Sequence, residues 1–315
     1  MRQIFKYIKI YVKEELKLNY FLSICIFLSL SVFIEYKFHI TQELLNPLKQ
    51  TIFYLFANIL LYSLPLLFAI WLYIILYKRS DLIGNRNFWM LVSFIVVAYA
   101  FRAYFYQHKH WAIQFCNGNY DRYIIKCTNQ FVQALLVCTP VVLFWIFSGD
   151  NKKMNLYGFQ LKNFNTKPYF AMLVIMLPLI AVASTQHDFL NRYPTFHDFI
   201  SESETKSIMI FKTTVYELLY GSDFVMTELF FRGFMVFTLA SFMGKGCILP
   251  MATMYLFIHF GKPVGETISS FFGGTILGII AYETRSIIGG IIVHCGTAYI
   301  MELGGAIGHF LIKTR

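Results

Sequence analysis

The stretch Ile52–Tyr77 constrains the fold more than any other feature of the sequence. Its 26 residues include no charged side chain. A membrane-spanning helix needs about 20 consecutive, mostly apolar residues. We therefore predict that this stretch crosses a bilayer as a helix. Pro65 lies inside it, and such a proline is tolerated because neighbouring helices can satisfy the backbone group that it frees.

The composition extends this prediction to the whole chain. Hydrophobic residues make up 57% of the 315 residues and charged residues only 14%, whereas soluble domains have about 45–50% and about 25%. One globular core cannot bury such an excess, but a bilayer can accept apolar side chains on outward faces. The predicted fold class is an all-α, polytopic transmembrane helical bundle with about 8–10 membrane helices. The other predicted helices are Tyr20–Ile34, Phe88–Ala103, Phe131–Phe147, Tyr169–Ala183, Ile208–Tyr220, Phe224–Phe242, Ile248–Phe260, Thr267–Tyr282 and Ile287–Leu303.

Polar breaks divide the chain into three predicted regions. Residues 1–19 mix five Lys and Arg residues with apolar ones, and no small-residue cleavage site follows. We interpret them as a basic interfacial helix and not as a signal peptide. The longest hydrophilic break, His187–Lys206, separates an N-terminal transmembrane region (20–206) from a C-terminal one (207–315).

The net charge of +10 does not favour a nucleic-acid partner, because the basic residues lie in short loops and in the N-terminal segment. Cytoplasmic loops of membrane proteins carry such an excess. The segments Lys78–Arg86 and Lys152–Lys167 place the N-terminus in the cytoplasm, and we predict a bacterial cytoplasmic (inner) membrane. Cys116 and Cys127 share one predicted loop and would be able to pair if it faced an oxidising compartment.

Three clusters place ionisable groups inside apolar helices of the C-terminal region. Glu228 and Arg232 are four residues apart and so share one helix face, in the favourable order for an ion pair. His259 and His294 lie in two later apolar segments. Each feature taken alone is consistent with a structural role, as an ion pair or as a core histidine. Together they favour a shared polar site, because charges inside a membrane are costly and usually functional.

These clusters resemble the motifs of the CAAX-protease and bacteriocin-processing family of intramembrane proteases, called CPBP or Abi. That family has two adjacent glutamates three residues before an arginine, then an aromatic residue four before a histidine, then a histidine four before an asparagine. The matching residues here are Thr227-Glu228, Arg232-Gly233, Tyr255, His259, His294 and Ala298. The likeness covers about residues 216–303, and Asn155–Phe159 resembles an upstream element of the family.

The resemblance implies hydrolysis of a peptide bond within the membrane, with a membrane-associated or prenyl-like peptide or protein as substrate. It implies that the first glutamate and His259 activate water, while His294 and the asparagine stabilise the oxyanion. Two positions depart from the pattern. Thr227 replaces the first glutamate and Ala298 replaces the asparagine. Asp223, one turn before Thr227, is the best substitute base on the same helix face.

Two other carboxylates of the C-terminal region are possible substitutes for the missing glutamate. Glu217 is a poorer candidate than Asp223. Glu302 lies two turns beyond His294 and is predicted to be too far away. The expected catalytic group is therefore Glu228, Arg232, His259, His294, Asp223 and Thr227.

Cofactor and function stay open at this point. Glu228, His259 and His294 are able to supply a three-ligand zinc site with an open position, but a metal-free mechanism is favoured. An intramembrane endopeptidase, which would be a metalloprotease if zinc were bound, is the preferred function. The alternatives are a catalytically inactive member that binds membrane peptides or partner proteins, and a transporter. The lipid bilayer is an expected partner in every case.

Overall fold

A computed structural model of the chain describes residues 1–116, 121–160, 165–199 and 205–313. These residues form helices and turns, and no strand occurs among them. The α-helices are α1 (Arg2–Glu14), α2 (Leu18–Phe38), α3 (Ile52–Tyr77), α4 (Arg86–Tyr104), α5 (Gln107–Phe115), α6 (Arg122–Phe147), α7 (Lys167–Ala183), α8 (His187–Leu190), α9 (Lys206–Glu228), α10 (Val236–Met243), α11 (Ile248–Phe257), α12 (Val264–Thr284) and α13 (Ile288–Lys313). The short π and 3-10 segments are Thr41–Leu45, Asn46–Leu48, Ser80–Leu82, Asp150–Lys152, Leu156–Gly158, Thr195–Phe199, Leu229–Met235 and Gly244–Cys247.

The described part of the chain has seven helical stretches that are long and apolar enough to cross a membrane. They are Leu18–Phe38, Ile52–Tyr77, Arg86–Phe115, Arg122–Phe147, Lys206–Phe257, Val264–Thr284 and Ile288–Leu311. Helix α7 is apolar but shorter. The predicted all-α polytopic bundle is therefore confirmed, and the chain is an integral membrane protein. The span Ile52–Tyr77 has the predicted bounds.

Helix α6 begins nine residues earlier than predicted, at Arg122 instead of Phe131. Its first turn is capped by Asp121, whose Oδ1 accepts a hydrogen bond from the backbone N–H of Ile124 at 3.1 Å. The added turns are polar, and Lys126 Nζ donates to the carbonyl of Thr195 at 2.7 Å. The apolar run begins only at Phe131, but packing against a neighbouring loop supports the polar turns before it.

The predicted break between Tyr220 and Phe224 is wrong, because α9 continues through Gly221. A side chain on Gly221 would overlap the hydroxyl of Tyr299, and that hydroxyl donates to the carbonyl of Glu217 at 3.0 Å. The glycine therefore serves the close approach of α13 to α9 and does not end the helix. The π-helical segment Leu229–Met235 continues α9 into α10.

The N-terminal segment forms the predicted helix, α1, and its Ile4 is buried against residues of α7, α12 and α13. One larger hydrophobic cluster includes buried residues from Tyr11 of α1 to Ile287, just before α13. The boundary drawn at residue 206 stays a prediction. So do the interfacial placement of α1 and the orientation of the chain.

Two further expectations concern loops. All six cysteines are free, so Cys116 and Cys127 do not form the disulfide considered from the sequence. The polar break His187–Lys206 contains α8 and the turn Thr195–Phe199. Residues 200–204 of that break lie outside the described residues.

Candidate active site

Glu228 is the last residue of α9 and lies at the start of the π-helical segment. Its side chain is completely buried. Oε1 lies 3.0 Å from Nη1 of Arg232 and 2.9 Å from Nδ1 of His294. The predicted ion pair is therefore present, and it is joined by a histidine from α13. π-Helical segments occur preferentially at functional sites because they reposition side chains within a helix.

Space for this carboxylate comes from α13. A side chain added at Gly290 would overlap Oε2 of Glu228. Oε2 itself has no hydrogen-bond partner among the described residues. The role of Gly290 depends on the position of Glu228 in the fold, so the sequence alone does not reveal it.

Tyr255 of α11 lies at the centre of the cluster. The guanidinium carbon of Arg232 is 3.9 Å from the centroid of the Tyr255 ring, a cation–π geometry that stabilises a buried cation. The rings of His259 and His294 lie 4.7 Å and 6.2 Å from the same ring. The ring of Tyr255 is thus surrounded by Arg232, His259 and His294, three of the predicted site residues.

The sequence predicts His259 inside a helix that ends at Phe260. Helix α11 instead ends at Phe257, and His259 lies in the turn that follows it. Its Nδ1 is 2.9 Å from the carbonyl oxygen of Tyr255. A carbonyl only accepts hydrogen bonds, so Nδ1 carries a proton and Nε2 of the neutral ring keeps its lone pair. The turn is held by Thr267, whose hydroxyl donates to the carbonyl of His259 at 2.8 Å. Tyr36 of α2 contacts the hydroxyl of Thr267 at 2.6 Å.

His294 connects the carboxylate to the tyrosine. Its Nδ1 faces Glu228, and its Nε2 lies 3.3 Å from the hydroxyl of Tyr255. A carboxylate partner fixes the proton on Nδ1, as it does for the histidine of a hydrolytic triad. Tyr255 O–H then donates to Nε2.

The substitute base predicted from the sequence has another partner. Asp223 Oδ1 lies 2.5 Å from Nη2 of Arg102 on α4, and Arg102 also contacts the hydroxyl of Tyr99 at 3.2 Å. No contact joins Asp223 to His259 or to the carboxylate cluster. Arg102 was missed in the sequence because nothing local connects α4 with α9.

The other candidate carboxylates also lie outside the cluster. Both Glu302 oxygens accept hydrogen bonds from Thr195, one from the backbone N–H and one from the hydroxyl, each at 2.8 Å. Glu302 therefore anchors the loop before residue 200, in agreement with its predicted distance from the site. The carboxylate of Glu217 is buried without a hydrogen-bond partner among the described residues.

The two positions that depart from the family pattern are both buried. Thr227 precedes Glu228 and is 7% exposed, and Ala298 is 5% exposed. Neither supplies a carboxylate or an amide to the cluster. No described side chain takes the place of the missing glutamate.

The predicted zinc ligands do not form a ligand group. Among the described residues, no three His, Cys, Asp or Glu side chains lie close enough to hold a metal ion. Oε1 of Glu228 contacts Arg232, and Nδ1 of His294 faces the same oxygen. An adjacent guanidinium opposes a second cation at the same carboxylate by electrostatic repulsion. These three residues therefore do not fit a metal ion in this arrangement.

The upstream element Asn155–Phe159 packs beneath this site. The Tyr157 side chain is fully buried, and its carbonyl oxygen lies 2.7 Å from the position that a Cβ on Gly233 would occupy. The backbone N–H of Ile287, just before α13, donates to the carbonyl of Gly158 at 3.0 Å. The element thus holds the π-helical segment against the start of the helix that carries His294.

Comparison with known proteins supports the resemblance for the C-terminal region. Residues 215–300 match the model of the family described as type II CAAX prenyl endopeptidase Rce1-like. This segment is Rce1-like. The resemblance predicted from the motifs is thereby confirmed, and the segment contains Glu228, Arg232, His259 and His294. No curated protein and no solved structure matches the chain.

Proposed function

We propose that the protein is an intramembrane endopeptidase that hydrolyses a membrane-associated or prenyl-like peptide with water activated by histidine. One observation carries the proposal. A buried Glu228–His294 pair and a second histidine, His259, meet at Tyr255 within an Rce1-like segment. A structural ion pair alone does not require two histidines from different segments at the ring of one tyrosine.

His259 is the proposed general base. Its Nε2 keeps a lone pair because Nδ1 donates to a backbone carbonyl. No described side chain forms a hydrogen bond with Nε2. A water held there loses a proton to Nε2 as its oxygen bonds to the substrate carbonyl carbon. The same proton then passes to the amine as the C–N bond breaks. A histidine is suited to both transfers near neutral pH.

Tyr255 is the proposed donor to the oxyanion. Its hydroxyl has His294 Nε2 as acceptor at 3.3 Å, a long contact that a stronger acceptor is able to displace. Glu228 holds His294 in place, and Arg232 lies over the Tyr255 ring. A neutral donor directed at the developing oxyanion fills the role that the missing asparagine has in the family pattern. Removing such a donor typically lowers turnover by about 10²–10³.

A catalytically inactive, peptide-binding member is the second candidate. Thr227 has no carboxylate, and Asp223 is held by Arg102. In this case the buried cluster would stabilise the bundle, and a peptide would bind without being cleaved. If the protein is inactive, replacing Thr227 by glutamate and Ala298 by asparagine should create a peptidase activity that the natural protein lacks.

The test uses the full chain in proteoliposomes with membrane-embedded peptides, prenylated and unprenylated, and identifies products by mass spectrometry. We expect cleavage by the wild type, and unchanged turnover after addition of 1,10-phenanthroline because the mechanism uses no metal. Loss of turnover with the chelator contradicts the metal-free mechanism. Absence of products in the wild type, with products from a Thr227→Glu, Ala298→Asn variant, supports the inactive candidate.

We further propose that the protein lies in a bacterial cytoplasmic membrane with its N-terminus in the cytoplasm. The basic residues of α1 and the basic segments that follow α3 and precede α7 support this orientation. Accessibility of single cysteines placed in the segments 1–17 and 150–153 to a membrane-impermeant reagent tests it. Labelling of either position in intact cells contradicts it.

A further inference from the structure

His259 lies in a turn that connects two helices of the Rce1-like segment. Helix α11 ends at Phe257 and α12 begins at Val264. The turn includes Gly261, whose φ of +82° lies in the left-handed region, where a larger residue would be strained. The position of the imidazole ring, and therefore of Nε2, depends on how firmly the backbone of this turn is held.

The carbonyl oxygen of His259 accepts two hydrogen bonds. One comes from the backbone N–H of Lys262 at 3.1 Å, and the other comes from the hydroxyl of Thr267 at 2.8 Å. Thr267 lies in the first turn of α12, and its side chain is fully buried. Two donors on one carbonyl limit the rotation of the backbone that carries the imidazole ring.

A further contact to this turn comes from outside the Rce1-like segment. Tyr36 lies near the end of α2, whereas the matched segment spans residues 215–300. The Tyr36 hydroxyl is 2.5 Å from the carbonyl oxygen of Lys262 and 2.6 Å from Oγ1 of Thr267. Thr267 donates its one proton to His259, so its oxygen accepts from Tyr36. The proton of Tyr36 is shared between two acceptor oxygens, and one hydroxyl thereby connects the turn with the start of α12.

The chain that follows α2 also packs against the turn. A Cβ placed on Gly261 would lie 3.3 Å from Cγ2 of Thr41. The backbone N–H of Thr41 donates to Oε2 of Glu35 at 3.2 Å, and Glu35 is 4% exposed. These contacts keep the end of α2 beside the turn, so that the Tyr36 hydroxyl stays within reach of both oxygens.

We propose that Tyr36 is a positioning residue for His259, acting through the carbonyl of Lys262 and the hydroxyl of Thr267 and not by contact with substrate. The inference rests on the proposed role of His259 as general base. It assigns part of the geometry of the active site to α2, outside the matched segment. The effect on rate follows from distance, because a displacement of about 1 Å in a reacting group lowers the rate by up to about 10².

Tyr36→Phe tests the proposal, because it removes the hydroxyl and keeps the ring. The matched control is Tyr20→Phe near the start of the same helix, where the hydroxyl donates to the carbonyl of Ala69 at 3.0 Å. Turnover is normalised to the folded fraction. We expect Tyr36→Phe to lower kcat by about 10-fold with KM unchanged, and Tyr20→Phe to keep both. Thr267→Val should behave like Tyr36→Phe, whereas Thr267→Ser, which keeps the hydroxyl, should retain kcat.

A second measurement does not depend on turnover. Nitrogen NMR of protein labelled at its histidine rings shows which nitrogen of His259 carries the proton, with the signals assigned by their loss in His259→Ala. In the wild type and in Tyr20→Phe we expect the proton on Nδ1, which donates to the carbonyl of Tyr255. In Tyr36→Phe the loosened turn should weaken that bond and populate the tautomer protonated at Nε2.

Three results would overturn the proposal. One is a Tyr36→Phe variant that matches Tyr20→Phe in both kcat and tautomer. Another is a loss of kcat with the Nδ1 proton fully retained, because Tyr36 would then act other than through His259. The third is an altered tautomer without loss of kcat. If the wild type cleaves no peptide, the proposed function fails, and the tautomer comparison alone decides whether Tyr36 holds the ring. If Tyr36→Phe does not fold, Thr267→Val against Thr267→Ser decides by the same criteria.

Discussion

The helical stretch that carries Glu228 differs in its surroundings from the helices at the periphery of the bundle. In Lys206–Phe257, 72% of the most apolar window is buried inside the protein, against 17% in Arg122–Phe147 and 22% in Leu18–Phe38. The peripheral helices direct most of their apolar side chains outward, where lipid is the solvent. The central stretch is surrounded by other helices.

The difference explains where ionisable groups are placed. A charge that faces lipid has no partner, whereas a charge in the central stretch is able to pair with groups on neighbouring helices. Arg232 and Glu228 are 1% and 0% exposed. On the outside of the bundle, the pair formed by Lys153 and Asp150 has a lysine that is 69% exposed. Mutations in the two regions should therefore differ in cost.

Arg232→Gln should have the largest effect on stability. The variant leaves the carboxylate of Glu228 buried without its cation, and breaking one side of a buried pair costs about 3–5 kcal/mol. The free energy of unfolding, measured by reversible unfolding in mixed micelles, checks this. Lys153→Gln is the exposed control and should cost no more than about 1 kcal/mol. Equal losses in the two variants would remove the distinction between the regions.

Gly290→Ala should be the next most severe change. Its Cβ overlaps Oε2 of Glu228, so the carboxylate must move, at a cost of about 3 kcal/mol. Gly273→Ala on α12 is the control, because a Cβ there meets nothing within 4 Å. The control should be neutral or stabilising, since alanine favours a helix. The same measurement decides, and a Gly290→Ala variant as stable as the wild type would show that Glu228 is not confined by α13.

Glu302→Gln tests a carboxylate that the structure assigns to a loop. The change removes a charge-assisted hydrogen bond to Thr195 and should cost about 2 kcal/mol. Proteolysis between residues 184 and 199 should become faster, while turnover per folded molecule stays unchanged. Loss of turnover without faster proteolysis would instead place Glu302 in the mechanism.

The pair formed by Asp223 and Arg102 should show the smallest effect. A double-mutant cycle with Asp223→Asn and Arg102→Gln should give a coupling free energy of about 1 kcal/mol, because both side chains are partly exposed. If Asp223 served as the base, its single variant would lose turnover in excess of its loss of stability. The cycle therefore separates the base predicted from the sequence from an interhelical ion pair.

Much of the fold was predictable because apolar length decides it. The bounds of Ile52–Tyr77 were predicted correctly, since the stretch is uncharged and ends at a lysine. The polar start of α6 and the continuity of α9 through Gly221 were not predictable. Both depend on contacts with distant parts of the chain, Thr195 and Tyr299 respectively.

The candidate site was partly predictable for the same reason. Spacing along one helix predicted the pair formed by Glu228 and Arg232, and the motifs placed both histidines near it. Asp223 pairs with Arg102 of α4, and position on a helix face does not reveal such an arginine on another helix. The space that Gly290 leaves for the carboxylate also required the fold.

The central claim is that His259 activates water. Turnover of one membrane peptide by the wild type and by His259→Ala, normalised to the folded fraction of the same preparations, tests it most directly. His110→Ala, which changes an exposed histidine of α5, is the control. We predict that His259→Ala lowers turnover by at least about 10², while His110→Ala leaves it unchanged. Equal turnover in the wild type and His259→Ala would contradict the claim.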